Sequence, residues 1–181
     1  MAESPILVGD SIFRRLFTEH RELFSPVSLN TCNGGKRILE VYDIVRQHRI
    51  PLIGKDVVLM VGTNDLLEKS PLNLVRQSYK VLVRYLKRLR CRLTLCEILP
   101  IPKFGQLATD CNAVLEFNKY IRSFEPSGVQ IIRTHNQFVD NNQIRLYLYH
   151  KTFFRRGKGQ CVDLVHPNNE GLHCLLLCIE A

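Results

Sequence analysis

Acid is what this chain is short of. It carries 17 Asp and Glu against 25 Lys and Arg, a formal net charge of +8 over 181 residues. That imbalance suits a nucleic acid or another polyanion as readily as it suits a soluble basic enzyme. Other absences exclude more. No apolar run reaches the roughly 18 residues that a membrane span needs. The start, Met1-Ala2-Glu3-Ser4-Pro5, has no basic segment of the signal-peptide kind. A soluble, cytoplasmic protein is therefore expected. No Cys-x-x-Cys pair occurs among the seven cysteines, which argues against a zinc ribbon or a redox motif. Their odd number and scatter suit free thiols in a reducing compartment. No metal and no cofactor is expected. Without an internal repeat or a linker-like stretch, residues 1–181 read as one domain.

What is present is a globular composition, 45% hydrophobic and 23% charged. Strand-like and helix-like segments alternate. Ile6–Val8, Val27–Thr31, Asp56–Val61, Arg92–Ile98 and Val129–Ile132 read as strands. The segments 12–24, 36–48, 72–89, 108–124 and 168–179 have helical spacing of apolar residues. Alternation of this kind predicts parallel strands joined by right-handed crossovers. The expected architecture is a three-layer α/β/α sandwich, flavodoxin-like, with about five parallel strands. Ligands in such sheets bind beyond the carboxyl ends of the strands.

Three short polar blocks fall at those ends: Gly9-Asp10-Ser11, Asn33-Gly34-Gly35 and Gly62-Thr63-Asn64-Asp65. A fourth, Asp163-Leu164-Val165-His166-Pro167, precedes the last helix. Acyl transfer needs a nucleophile, a base, a group that orients the base, and donors for the oxyanion. Ser11 can be the nucleophile and His166 its base, with Asp163 holding the imidazole in the correct tautomer. Pro167 restricts His166 to an extended backbone. The Ser11 N–H, at a helix start, can donate to an oxyanion, as can the Gly35 N–H and the Asn64 side-chain amide.

These four blocks, in this order and over essentially the whole chain, resemble those of the SGNH, or GDSL, hydrolases. The resemblance implies an esterase, lipase, acetylhydrolase or thioesterase that works without a metal. It assigns Ser11, Gly35, Asn64 and His166 as the four named residues, with Asp163 completing the triad. Lys36 departs from the pattern, since an acid commonly follows that glycine. Short connections between blocks favour a small or open site and short acyl esters.

Two basic features stand apart from the triad. Arg76, Lys80, Arg84 and Arg88 recur every four residues on one predicted helix that contains no acid. Such a stripe would contact phosphates with little sequence preference. The segment 145–158 combines Arg155, Arg156 and Lys158 with four aromatics, which can either stack on bases or pack a lid onto the domain. In its basic character the chain is also similar to the OSK domain of insect Oskar, an SGNH-like branch known for RNA binding without the catalytic set. All five hydrolase residues stand here. Two readings therefore remain open: a serine esterase acting on a small ester or acylated substrate, and an RNA-binding module acting through basic surfaces.

Overall fold

The computed structural model describes residues 3–155 and 159–181, without the side chains of residues 153–155. The strands are β1 (Ile6–Gly9), β2 (Asp56–Met60), β3 (Arg92–Cys96), β4 (Gln130–Ile132), β5 (Val139–Asp140), β6 (Gln143–Ile144), β7 (Thr152–Arg155) and β8 (Gly159–Val162). The α-helices are α1 (Ser11–Glu19), α2 (Ser28–Thr31), α3 (Ile38–Gln47), α4 (Arg49–Leu52), α5 (Thr63–Leu67), α6 (Leu72–Arg88), α7 (Asn112–Arg122), α8 (Thr134–Gln137) and α9 (Asn169–Glu180).

Strands β1 to β4 form one parallel sheet in that order. Strands β1 and β2 are almost wholly buried, β3 is mostly so, and β4 at the edge is half-buried to exposed. The apolar runs Ile6–Val8 and Val57–Leu59 pair residue for residue, as expected where helices cover both faces. Helices α3, α6 and α7 pack side by side, and α1 packs against α9. Right-handed crossovers place these two groups on opposite faces. The result is the expected α/β/α sandwich.

The expected strand at Val27–Thr31 is instead the short helix α2, followed by a single parallel bridge from Cys32 to Gly9. The free edge of β1 is met by side chains. The Leu7 N–H donates to Ser28 Oγ at 2.9 Å, and Thr31 Oγ1 donates to Leu7 O at 2.6 Å. Two hydroxyls thus replace the backbone ladder that a strand would have supplied. The sheet has four strands, with Cys32 marking where a fifth would lie.

The remaining elements follow the sequence more closely. Helix α6 buries Val75, Tyr79, Leu82, Val83 and Leu86, the predicted apolar stripe. Asn168 caps α9 by accepting from the Gly171 N–H at 3.0 Å. Tyr149, in the aromatic segment, is core: its hydroxyl donates to Pro100 O at 2.8 Å and its ring meets Phe138 edge-on. Gly62, after β2, has φ +133°, and a Cβ there would lie 2.6 Å from Phe117 Cε1. Only glycine fits that position, which brings α5 tightly against the end of the sheet.

Candidate active site

The turn from β1 into α1 is built from three residues. Gly9 allows β1 to lie close to β2, since a Cβ there would come 2.3 Å from Met60 O. Asp10 is the N-cap of α1, its Oδ1 accepting from the Ile12 N–H at 3.0 Å. Ser11 is then the first helical residue, and its N–H is one of those with no partner inside the helix.

Ser11 Oγ lies 2.9 Å from His166 Nε2. His166 Nδ1 lies 2.9 Å from Asp163 Oδ1 and 3.1 Å from Oδ2. In the neutral tautomer that this geometry favours, the Nδ1–H donates to Asp163 and Nε2 accepts from the serine hydroxyl. Burial pushes the Asp163 carboxyl up. The His166 ring, with the backbone N–H groups of His166 and Val165, more than offsets it, so Asp163 sits below the ordinary carboxylate range.

The turn carrying Asp163 and His166 is held from both sides. Leu164 between them has φ +51°, left-handed and unusual for a leucine. Its N–H donates to His150 O and its carbonyl accepts from the Lys103 N–H, both at 3.0 Å. The His150 N–H donates to His166 O at 3.0 Å. Asp163 Oδ1 also accepts from the Val165 and His166 N–H groups at 3.1 Å. These bonds hold a conformation that costs on the order of 1–3 kcal/mol. The sequence pointed to Asp163 and His166 but not to His150 and Lys103, because strand-like pairing across the 150–164 turn has no local signature.

The second and third blocks converge on the same edge. The Asn33 N–H donates to Gly9 O at 3.2 Å, and a Cβ at Gly34 would lie 3.8 Å from Ser11 Cβ. Gly35 follows with φ +70°. Asn64 Nδ2 donates to Lys36 O at 2.9 Å, which uses one of its two hydrogens and leaves the other. The buried Asp65 Oδ2 accepts from the Ile38 N–H at 3.0 Å and so caps α3 from a distance. Burial raises the Asp65 pKa, against that hydrogen bond. Lys36, the departure from the hydrolase pattern, pairs with Glu40 at 2.9 Å while its carbonyl orients Asn64. Ser11, Gly35, Asn64, Asp163 and His166 are thus gathered at one end of the sheet.

Behind them lies Asp10, 1% exposed. Burial pushes its carboxyl up to about 6, against the Ile12 N–H, the nearby His166 and the Thr63 hydroxyl. The Thr63 hydroxyl is near enough to act on that charge, but no hydrogen bond is formed. Asp10 Oδ2 and Thr63 Oγ1 both lack a partner among the described residues.

The basic stripe is not uniform. Arg76 is tied to α7: it donates to Glu116 O at 3.1 Å, pairs with Glu116 Oε2 at 3.2 Å and lies over the Tyr120 ring. Lys80, Arg84 and Arg88 are exposed, and no described carboxylate pairs with them. In the segment 145–158, Tyr147 is exposed. Arg155 closes β7 as backbone only, and Arg156 and Lys158 lie outside the described residues.

The α/β/α layers, with Ser11, His166 and Asp163 hydrogen-bonded to one another beyond the carboxyl edge of the sheet, are similar in fold to the SGNH hydrolases. Solved structures agree on the fold. The GDSL-like lipase of Bacteroides thetaiotaomicron superposes with a TM-score of 0.74 at 15% identity, over 97% of this chain and 85% of that one. A G-D-S-L family lipolytic protein of Veillonella parvula gives 0.73 at 15% identity, over 99% and 97%. The C-terminal domain of Drosophila Oskar gives 0.78 at 17% identity, over 99% and 89%. No curated protein matches by sequence. Residues 17–181 match the OSK domain family, a span that begins after Ser11. The chain belongs to the OSK domain family. Among the described residues, no helix is long and apolar enough to cross a membrane.

Proposed function

We propose that this protein is a serine esterase of the SGNH type. The observation that carries the reading is the unbroken relay from Ser11 Oγ through His166 to the buried Asp163, with both links at 2.9 Å. Ser11 Oγ attacks the acyl carbonyl and gives its proton to His166 Nε2. The C–O π pair moves onto oxygen, where the Ser11 N–H, the Gly35 N–H and the free Asn64 N–H can receive it. The tetrahedral intermediate collapses, the leaving alkoxide takes the proton from His166, and an acyl-serine remains. Water repeats the sequence, with His166 again as base, and releases the acid and Ser11. No step requires a metal or a cofactor. All seven cysteines are free, which supports action in a reducing, cytoplasmic setting.

The test is labelling by a fluorophosphonate probe. Labelling of folded wild type, lost in heat-denatured protein and in Ser11→Ala, is the expected result. Folded wild type that takes no label would refute the assignment.

A second reading, RNA binding, rests on Lys80, Arg84 and Arg88, exposed cations that no described acid neutralises. The likeness to the OSK domain points the same way. Lys80→Glu with Arg84→Glu should weaken RNA binding and flatten its salt dependence. Unchanged affinity and slope would leave the stripe as a solvated helix face.

A further inference from the structure

Two cations near the Ser11–His166 pair, Arg15 and Lys103, have no ion-pair partner among the described residues. Arg15 lies one turn along α1 from Ser11 and shares its face of the helix. It is half-buried, and among the described residues it forms no ion pair; Glu19, one turn further on, does not reach it. Residues 153–158 contain no acid that could serve instead. Across the site, Lys103 is exposed, and its backbone is bonded to Leu164 inside the Asp163–His166 turn. His150 is bonded through its backbone to both Leu164 and His166. Burial, then the Arg15 charge, holds the His150 ring below its ordinary pKa, with His166 adding to this and Asp163 opposing it. His150 thus lies beside His166, and Arg15 is close enough for its charge to act on the His150 ring.

The two acids nearest Ser11 and His166 in the chain are already engaged. Asp163 is buried against His166, and Asp10 is buried against Ile12. On the other flank Lys36 and Arg37 are answered by Glu40 and Glu68. On α1 beside Ser11, the Arg15 guanidinium is a charge without an ion-pair partner among the described residues. That group is planar, always ionised and matched in shape to a carboxylate or a phosphate.

We propose that the site selects esters that carry an anionic group, a carboxylate or a phosphate, a few bonds from the scissile carbonyl, with Arg15 as the principal recognition group and Lys103 as the second. This rests on the esterase reading above. Arg15 and Lys103 set specificity; the bond-making steps remain those of Ser11, His166 and Asp163.

The test compares kcat/KM for mono-p-nitrophenyl glutarate and for p-nitrophenyl valerate, which share chain length and leaving group and differ in one terminal carboxylate. Wild type should prefer the anionic ester by about tenfold or more, with the preference shrinking as salt rises. Arg15→Gln should lower that ratio by about tenfold, and Lys103→Gln should lower it less. Arg49→Glu, on α4 ahead of β2 and so at the opposite edge of the sheet, should leave the ratio as it is. Inhibition of valerate hydrolysis by inorganic phosphate and by free glutarate distinguishes the two anions. The stronger inhibitor names the group, and either one supports the proposal provided that Arg15→Gln weakens it. A wild-type ratio near one, or equal losses in Arg15→Gln and Arg49→Glu, overturns it, because the effect would then be absent or due to net charge alone. Protein that labels at Ser11 and hydrolyses the valerate without preference defeats this inference and leaves the esterase reading standing. Folded protein that neither labels nor turns over either ester defeats both.

Discussion

Replacing Asp10 by Asn separates the stability of the fold from the chemistry of the site. The buried carboxyl is raised from 3.8 to about 6. Above that pH the folded protein must keep an ion where burial opposes it. Between pH 4 and 6 the folded state binds more protons at this position than the unfolded state, so stability falls as pH rises through that window. A shift of about two units corresponds to about 3 kcal/mol, absent below pH 4 and fully present above pH 6. Asn removes the charge and keeps the cap, since its carbonyl oxygen can still accept from the Ile12 N–H. Its NH₂ group replaces the unpaired Oδ2 and meets a Thr63 hydroxyl that also lacks a partner.

The assay is urea denaturation of wild type and Asp10→Asn at several pH values from 4 to 7.5. Other carboxylates titrate in both proteins, so the difference between the two curves isolates Asp10. The variant should gain on wild type by about 3 kcal/mol over that range. Turnover should move the opposite way. On the esterase reading, the Asp10 charge near His166 at pH 7 should stabilise the imidazolium that forms as Ser11 attacks, and the variant lacks that charge. A stability difference that stays flat with pH would refute the argument, as would a stabilised variant with undiminished kcat.

Two further substitutions probe how the site is held. Asp65→Ala removes the acceptor of the buried Ile38 N–H and should destabilise the protein by about 1–3 kcal/mol; it should also slow fluorophosphonate labelling, because the segment after Gly35 loses one of its two side-chain ties to α5 and keeps only that from Asn64 to Lys36 O, and unchanged labelling would refute that linkage. Gly62→Ala places a Cβ against Phe117 at a φ that alanine resists, so thermal unfolding should show a Tm lower by several degrees; an unchanged Tm would mean that the ring moves aside freely.

How much of this was legible in the sequence depends on the range of the interaction. Helix α6 reads directly because its apolar residues recur at helical spacing, and α9 because Asn168 stands where a cap belongs. Ser11 reads because the strand ends of a parallel sheet share one edge, whereas Asp163 and His166 follow the antiparallel β7–β8 pair and were legible only through their resemblance to a hydrolase block. Val27–Thr31 misled because its composition suits a strand. Only the structure shows Ser28 and Thr31 turning their hydroxyls back onto Leu7. The basic stripe reads as four equivalent cations, yet Glu116, forty residues beyond Arg76, removes one of them from the surface set. Arg15 was visible one turn after Ser11, but its significance depends on His150 and Lys103, which no local pattern places beside the triad.

The disposition of unfavourable features bears on which of the two readings the molecule is built for. An RNA-binding surface on α6 needs exposed cations and a stable sheet behind them. It has no use for a left-handed Leu164, which costs on the order of 1–3 kcal/mol. Nor has it any use for a fully buried, half-paired Asp10, which at neutral pH costs about 3 kcal/mol more. Both lie within the constellation around Ser11, and the hydrogen bonds from His150, Lys103 and Asp163 hold that strain in place. Lys69, Arg90, Asn141 and Asn142 also have positive φ, and Tyr79, Glu97 and His135 also bury polar atoms without a partner among the described residues, but Leu164 and Asp10 are the two that adjoin Ser11 and His166; an unfavourable feature placed beside a reactive group is what a catalytic site requires. Were α6 the sole working surface, Asp10→Asn and a relaxed residue at position 164 would improve the fold at no functional cost. The Asp10→Asn comparison therefore tests the esterase reading as well as the titration: a more stable variant with weakened turnover and intact RNA affinity would assign the strained end of the sheet to catalysis and α6 to binding.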